Sequence, residues 1–74
     1  MEYQFYLMRI IGPNIDEFSN KHCKDNEEAL DLALSMVARY PLNTNISVYH
    51  ITDVDGREHK QYIGSVEHVV RRTF

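Results

Sequence analysis

The sequence predicts a small α+β fold: a short antiparallel sheet in ββαββ or βαββ order, one amphipathic helix packed on one face, and a short C-terminal helix or strand. Three observations predict it. Residues 2–11 and 45–54 are rich in aromatic and β-branched side chains, the composition of strands. Between them, Asp25 opens a run in which apolar residues recur at helical spacing. After the second strand-like segment comes Asp55-Gly56, a strong hairpin signal.

The first strand reads YQFYLMRII and stops at the turn Gly12-Pro13-Asn14. Residues 15–24 hold only two clear apolar side chains, Ile15 and Phe18, yet a structureless loop of that length is uncommon in so short a chain. An edge strand making a hairpin with the first is therefore expected there. Asp25-Asn26-Glu27-Glu28 forms a capping box: the Asp25 carboxylate accepts from first-turn amides and Glu28 reaches back. Leu30, Ala33, Leu34 and Val37 mark the apolar stripe, flanked by Ala29, Met36 and Tyr40, and Glu28, Asp31, Ser35 and Arg39 line the opposite side. Pro41 ends the helix, and Arg39 at its end complements the dipole. Beyond the Asp55-Gly56 turn a polar edge strand runs to about Ile63, and Val66, Val69, Val70 and Phe74 form a short helix or a final strand.

Strand geometry then exposes an imbalance. Alternate residues face opposite sides, so Tyr3, Phe5 and Leu7 share one face of the first strand, and Tyr6, Met8 and Ile10 share the other. The third strand repeats this, with Ile46 and Val48 opposed to Tyr49 and Ile51. One helix covers one face of such a pair, so the second apolar face calls for a lid. The C-terminal segment around Val69, Val70 and Phe74 is one candidate, and another protein chain is the other.

Length and composition bound the rest. Seventy-four residues make one domain, 1–74, with a thin core. Hydrophobic residues make up 43% of the chain, too many for a disordered tail. No apolar run is long enough to span a bilayer, and the N-terminal run lacks the basic and small-residue features of a signal peptide. With the single cysteine Cys23, these point to a reducing, cytoplasmic setting and no membrane partner. Net charge is −3, with seven acids against three bases in residues 1–38 and four against five in 39–74, so neither half has a phosphate binder's basic excess.

Catalytic chemistry finds little footing. His22, Cys23, His50, His59 and His68 include metal-ligand types, but none forms a Cys-x-x-Cys or His-x-x-x-His chelate, so no metal and no cofactor is expected. Cys23 precedes the helix beside Lys21 and Lys24, which favours thiolate, while Asp25, Glu27 and Glu28 oppose it. Gly12, Gly56 and Gly64 stand alone and make no phosphate loop. Asp16-Glu17, Glu27-Glu28 and Asp53-Asp55 are explained as turn, cap and surface groups. The chain is not expected to be an enzyme.

The expected function is a non-catalytic protein-binding module, an inhibitor or regulator of a larger, nucleic-acid-handling enzyme. The partner-facing residues are taken as Tyr6, Met8, Tyr49 and Ile51, with Asp16, Glu17, Glu27 and Asp31 steering the module to a basic surface. Strand, capped helix and hairpin resemble the plan of small phage-encoded proteins that disable a host enzyme, a resemblance of size and plan that transfers no residues. Two alternatives stay open: a homodimeric regulatory domain with a small ligand, and single-stranded nucleic-acid binding through Tyr3, Phe5, Tyr49 and Tyr62 with Lys60, Arg71 and Arg72 on the backbone.

Overall fold

A computed structural model describes residues 3–69 of the chain. Its elements are β1 (Tyr3–Gly12), β2 (Ile15–Lys21), α1 (Asn26–Val37), β3 (Asn45–Val54) and β4 (Arg57–Glu67), so the order is ββαββ. All neighbouring strands are antiparallel, in the order β2-β1-β3-β4. β1 and β3, the two segments with apolar residues on both faces, are the central pair.

Both hairpins follow from their turn residues. Pro13 and Asn14 close β1 on β2, and Asn14 takes the left-handed φ of 63° that asparagine tolerates. Asp55 and Gly56, at φ 54° and 76°, make the type I′ geometry that matches the twist of β3 and β4. At the helix start, Asp25 Oδ1 accepts from the Glu28 amide at 2.9 Å. No return bond from the Glu28 side chain is present, so half of the expected capping box forms.

The helix packs through small residues. Ala29, Ala33 and Val37 are buried one turn apart against Tyr6, Met8 and Ile10 of β1 and Ile46 and Val48 of β3, while Leu30, Leu32 and Met36 flank them half-buried. Full burial of Met8, Ile10, Ile46 and Val48 contributes about 1.5–3 kcal/mol each. Leu34 departs from the expected stripe at 53% exposure, because the buried line is centred on the alanines and Leu34 lies to its side. The helix also ends earlier than the pattern suggests. After Val37 it tightens into i→i+3 bonds, Arg39 to Met36 and Tyr40 to Val37, as Pro41 disfavours helical backbone at the residue before it. Arg39 therefore lies beyond the last helical turn.

β4 is longer than its polarity suggests and continues through Ser65 and Val66 to Glu67, where a helix or separate strand was expected. His68 then ties the sheet to the helix return: Asn43 N–H donates to its carbonyl, its own N–H donates to Thr44, and its Nδ1 donates to the Tyr40 carbonyl at 2.6 Å. The expected lid residues Val70 and Phe74, with Arg71 and Arg72, lie outside the described residues, and Val69 is exposed.

Two close approaches position these parts. A Cβ on Gly12 would stand 2.5 Å from Thr44 Oγ1, so the strand end abuts the loop before β3 only because the residue is glycine. Gly64, at φ 158°, lets Leu30 Cδ2 come within 3.1 Å of the space a Cβ would take. No helix among the described residues is long and apolar enough to cross a membrane.

The burial pattern corrects one expectation about the docking residues. Tyr6 and Met8 are 4% and 0% exposed, beneath the helix, and Tyr6 donates a hydrogen bond to Asn26 Oδ1 at 2.8 Å. They are core, because even-numbered β1 residues point to the helix side.

Candidate protein-docking face

The other side of the sheet is built by the odd-numbered residues of β1 and β3. Tyr3, Phe5 and Leu7 lie across the register from Asp53, Ile51 and Tyr49, and β4 places Glu58, Lys60 and Tyr62 beside those three. β2 adds Asp16, Phe18 and Asn20. The rings and ions order themselves in pairs. Tyr3 stacks on Phe5 with ring centres 5.8 Å apart, and Tyr49 meets Tyr62 at 5.6 Å. Lys60 Nζ sits 4.3 Å above the Tyr49 ring, and the Arg9 guanidinium lies 5.5 Å from Phe18 while bridging Asp16 at 3.4 Å.

Tyr62 reaches this face through a break in the ladder. Val48 pairs with Gly64 and Tyr49 with Tyr62, leaving Ile63 as an extra residue in β4. The bulge turns Ile63 toward the helix-side core and keeps Tyr62 beside Tyr49, where its hydroxyl donates to Ser65 Oγ at 3.1 Å. Uninterrupted alternation from Gly64 would have sent Tyr62 to the helix side.

Among the described residues no element lies over this face. Phe18 is 60% exposed and Tyr62 57%. The described residues are 16 Å across at their narrowest, which suits one sheet and one helix. Ile51 is the exception, only 2% exposed although it stands apart from the helix-side core. Phe5 and Lys60 flank it in the register and Tyr49 stands two residues away, so the open face carries a small apolar floor of its own.

The sequence-derived site residues therefore separate. Tyr49 and Ile51 belong to the open face, as do the four aromatics Tyr3, Phe5, Tyr49 and Tyr62. Tyr6 and Met8 do not. The four acids are dispersed: Asp16 is on the open face in its ion pair with Arg9, Glu17 projects from the other side of β2, and Glu27 and Asp31 sit on the solvent side of the helix. Lys60 was already grouped with the rings; Phe18 had no assigned face because apolar residues do not fix the limits of β2, and Arg9 was passed over although its odd position in β1 places it here. Gly64, a lone glycine inside a strand, was the available signal of the bulge.

Other chemistry-bearing groups are engaged separately. His50 stacks on Tyr6 at 4.7 Å with its Nε2 3.1 Å from Gln4 Oε1, and His68 is bound to Tyr40. Among the described residues no three His, Cys, Asp or Glu side chains converge on a metal-sized site. Cys23 is half-buried, and burial, then the Glu28 and Asp25 carboxylates, push its thiol above the ordinary value despite Lys21. A cleft of about 310 Å³, lined by Tyr3, Gln4, Thr52, Asp53 and Val54, opens at one end of the sheet. Comparison with protein-family models, with curated proteins and with solved structures gives no match.

Proposed function

We propose that this chain is a non-catalytic protein-binding module, a regulator or inhibitor that acts by occupying a surface on a larger protein with the open face of its sheet. The observation that carries the reading is that face: aromatic rings on all four strands, built around the buried Ile51, with no described residue above them. Exposed apolar patches of this extent on small proteins mark interaction sites, and tyrosines suit them because an apolar ring carries a polar tip.

The same face speaks against single-stranded nucleic acid as the ligand. Its rings are suited to stacking, but among the described residues its cations Arg9 and Lys60 are outnumbered by Asp16, Asp53, Glu58 and Glu67. A phosphate backbone laid across it would meet net negative charge.

The test compares capture of protein partners from cells that express the chain by wild type, by a Tyr49→Lys/Tyr62→Lys variant, and by Ser35→Lys on the exposed side of the helix. A partner held by wild type and Ser35→Lys and lost by the double variant supports the reading. A partner held equally by all three would move the function to another surface.

A further inference from the structure

Resting on that reading, we infer that the open face is shaped for a foreign protein surface with an apolar centre and basic groups on both sides of it. Charge is distributed around the rings in a pattern that matches such a surface. Acids stand at both strand ends of the face: Asp53 and Glu58 beside Tyr3, and Asp16 and Glu67 at the level of Ile11. The cations lie between these ends and are already engaged, Lys60 above Tyr49 and Arg9 with Asp16 and Phe18. Among the described residues the middle of the face is thus apolar with its cations occupied, and each end keeps acid without a partner, Asp53 and Glu58 at one and Glu67 at the other, Asp16 being paired with Arg9.

One end is under tension that an incoming cation would relieve. Asp53 and Glu58 are directly opposed across β3 and β4, a like-charge pairing that disfavours the sheet, and no cation among the described residues lies within ion-pair distance of either. Tyr3 feels the same field: burial, then Asp53 and Glu58, raise its phenol above the ordinary value.

Size fits a specific complex. Four strands about 4.8 Å apart and about 30 Å long make a face of about 600 Å² in projection, comparable with the about 800 Å² each partner contributes to a standard interface. A second copy with its strands aligned fits poorly, since a two-fold axis running either along or across the strands brings acidic ends toward acidic ends.

The experiment uses the full chain with two synthetic peptides that share a Leu-Phe centre, one flanked by lysines and one by glutamates. Amide shift perturbation and affinity are measured at low and high salt, with the solution mass of the protein alone. The lysine-flanked peptide should perturb Phe5, Leu7, Tyr49, Lys60 and Tyr62. It should bind about tenfold or more tighter than its glutamate counterpart, lose that advantage in salt, and lose it also in Asp53→Lys/Glu58→Lys. Equal binding of both peptides to the open face would leave the docking reading standing and overturn the inference about charge. Perturbation confined to the helix side or the β4 edge would overturn both. A dimer joined through the open face would overturn the foreign partner alone.

Discussion

The two faces of this sheet carry similar large apolar side chains and have opposite fates. On one, Met8, Ile10, Ile46 and Val48 disappear beneath a helix whose alanines let it approach closely. On the other, Tyr3, Phe5, Leu7, Tyr49 and Tyr62 stand without a covering element among the described residues, and only Ile51 is hidden. The chemistry differs as well. The covered face is aliphatic with one tyrosine, its hydroxyl satisfied by Asn26, and the open face is aromatic with charge woven between its rings. Aliphatic groups suit a permanent dry core, whereas rings with polar edges tolerate both water and a partner, so the division of residue types follows a division of labour.

The largest expected contrast is between Met8→Ala and Tyr62→Ala. Thermal unfolding followed by circular dichroism should show a loss of about 2–5 kcal/mol for the first, enough to depopulate so small a fold, and a change within about 0.5 kcal/mol for the second. Equal losses would mean that both faces are core. Ile51→Ala sharpens the comparison, because it probes a buried side chain on the uncovered side. It should cost about 2 kcal/mol, and a negligible cost would reduce the apolar floor of the open face to accidental shielding.

Next comes the helix contact at Gly64. Gly64→Ala should destabilise by about 1–3 kcal/mol, since the new Cβ meets Leu30 Cδ2 and the backbone is strained there. Pairing it with Leu30→Ala separates these causes in a double-mutant cycle: relief shows the collision dominates, and additivity shows the backbone does. The smallest effect belongs to Cys23. Its folded thiol titrates above its unfolded value, so its contribution is fully present below that value, near pH 9, and is lost as pH rises through the folded one. Cys23→Ala should flatten that alkaline decline in stability. Thiol labelling at neutral pH should be slower than for an unfolded control and faster in Asp25→Asn/Glu28→Gln, and labelling at the control rate would contradict the burial.

How much of this was legible in the sequence depends on whether a local signal fixed each element. Asp25 at the helix start, Asp55-Gly56 at the turn and the doubly apolar strands 3–12 and 45–54 each act through neighbours in the chain, and each was readable. The end of the helix, the exposure of Leu34 and the length of β4 depend on what packs against them, which spacing does not reveal. The partner-facing apolar set divides between the two faces, Tyr49 and Ile51 on the open one and Tyr6 and Met8 beneath the helix. Parity correctly separated Tyr6 and Met8 from Tyr3 and Phe5, but it gives neither the register that sets Tyr49 opposite Leu7 nor the side the helix takes. On the side it takes, the small residues Ala29 and Ala33 let the helix approach the aliphatic face closely.

The extra residue in β4 has a bearing on how this chain can vary. Because Ile63 is unmatched in the ladder, β4 is two half-strands joined with a change of phase, and the residues on either side keep their faces by virtue of that surplus. Removing Ile63 would regularise the pleat while leaving Lys60 and Tyr62 where they are, whereas removing Gln61 and keeping the bulge would turn Lys60 and Glu58 over to the helix side. The bulge is therefore the point along β4 where length and surface chemistry are uncoupled, and a shortened variant that preserves the open face is to be sought there.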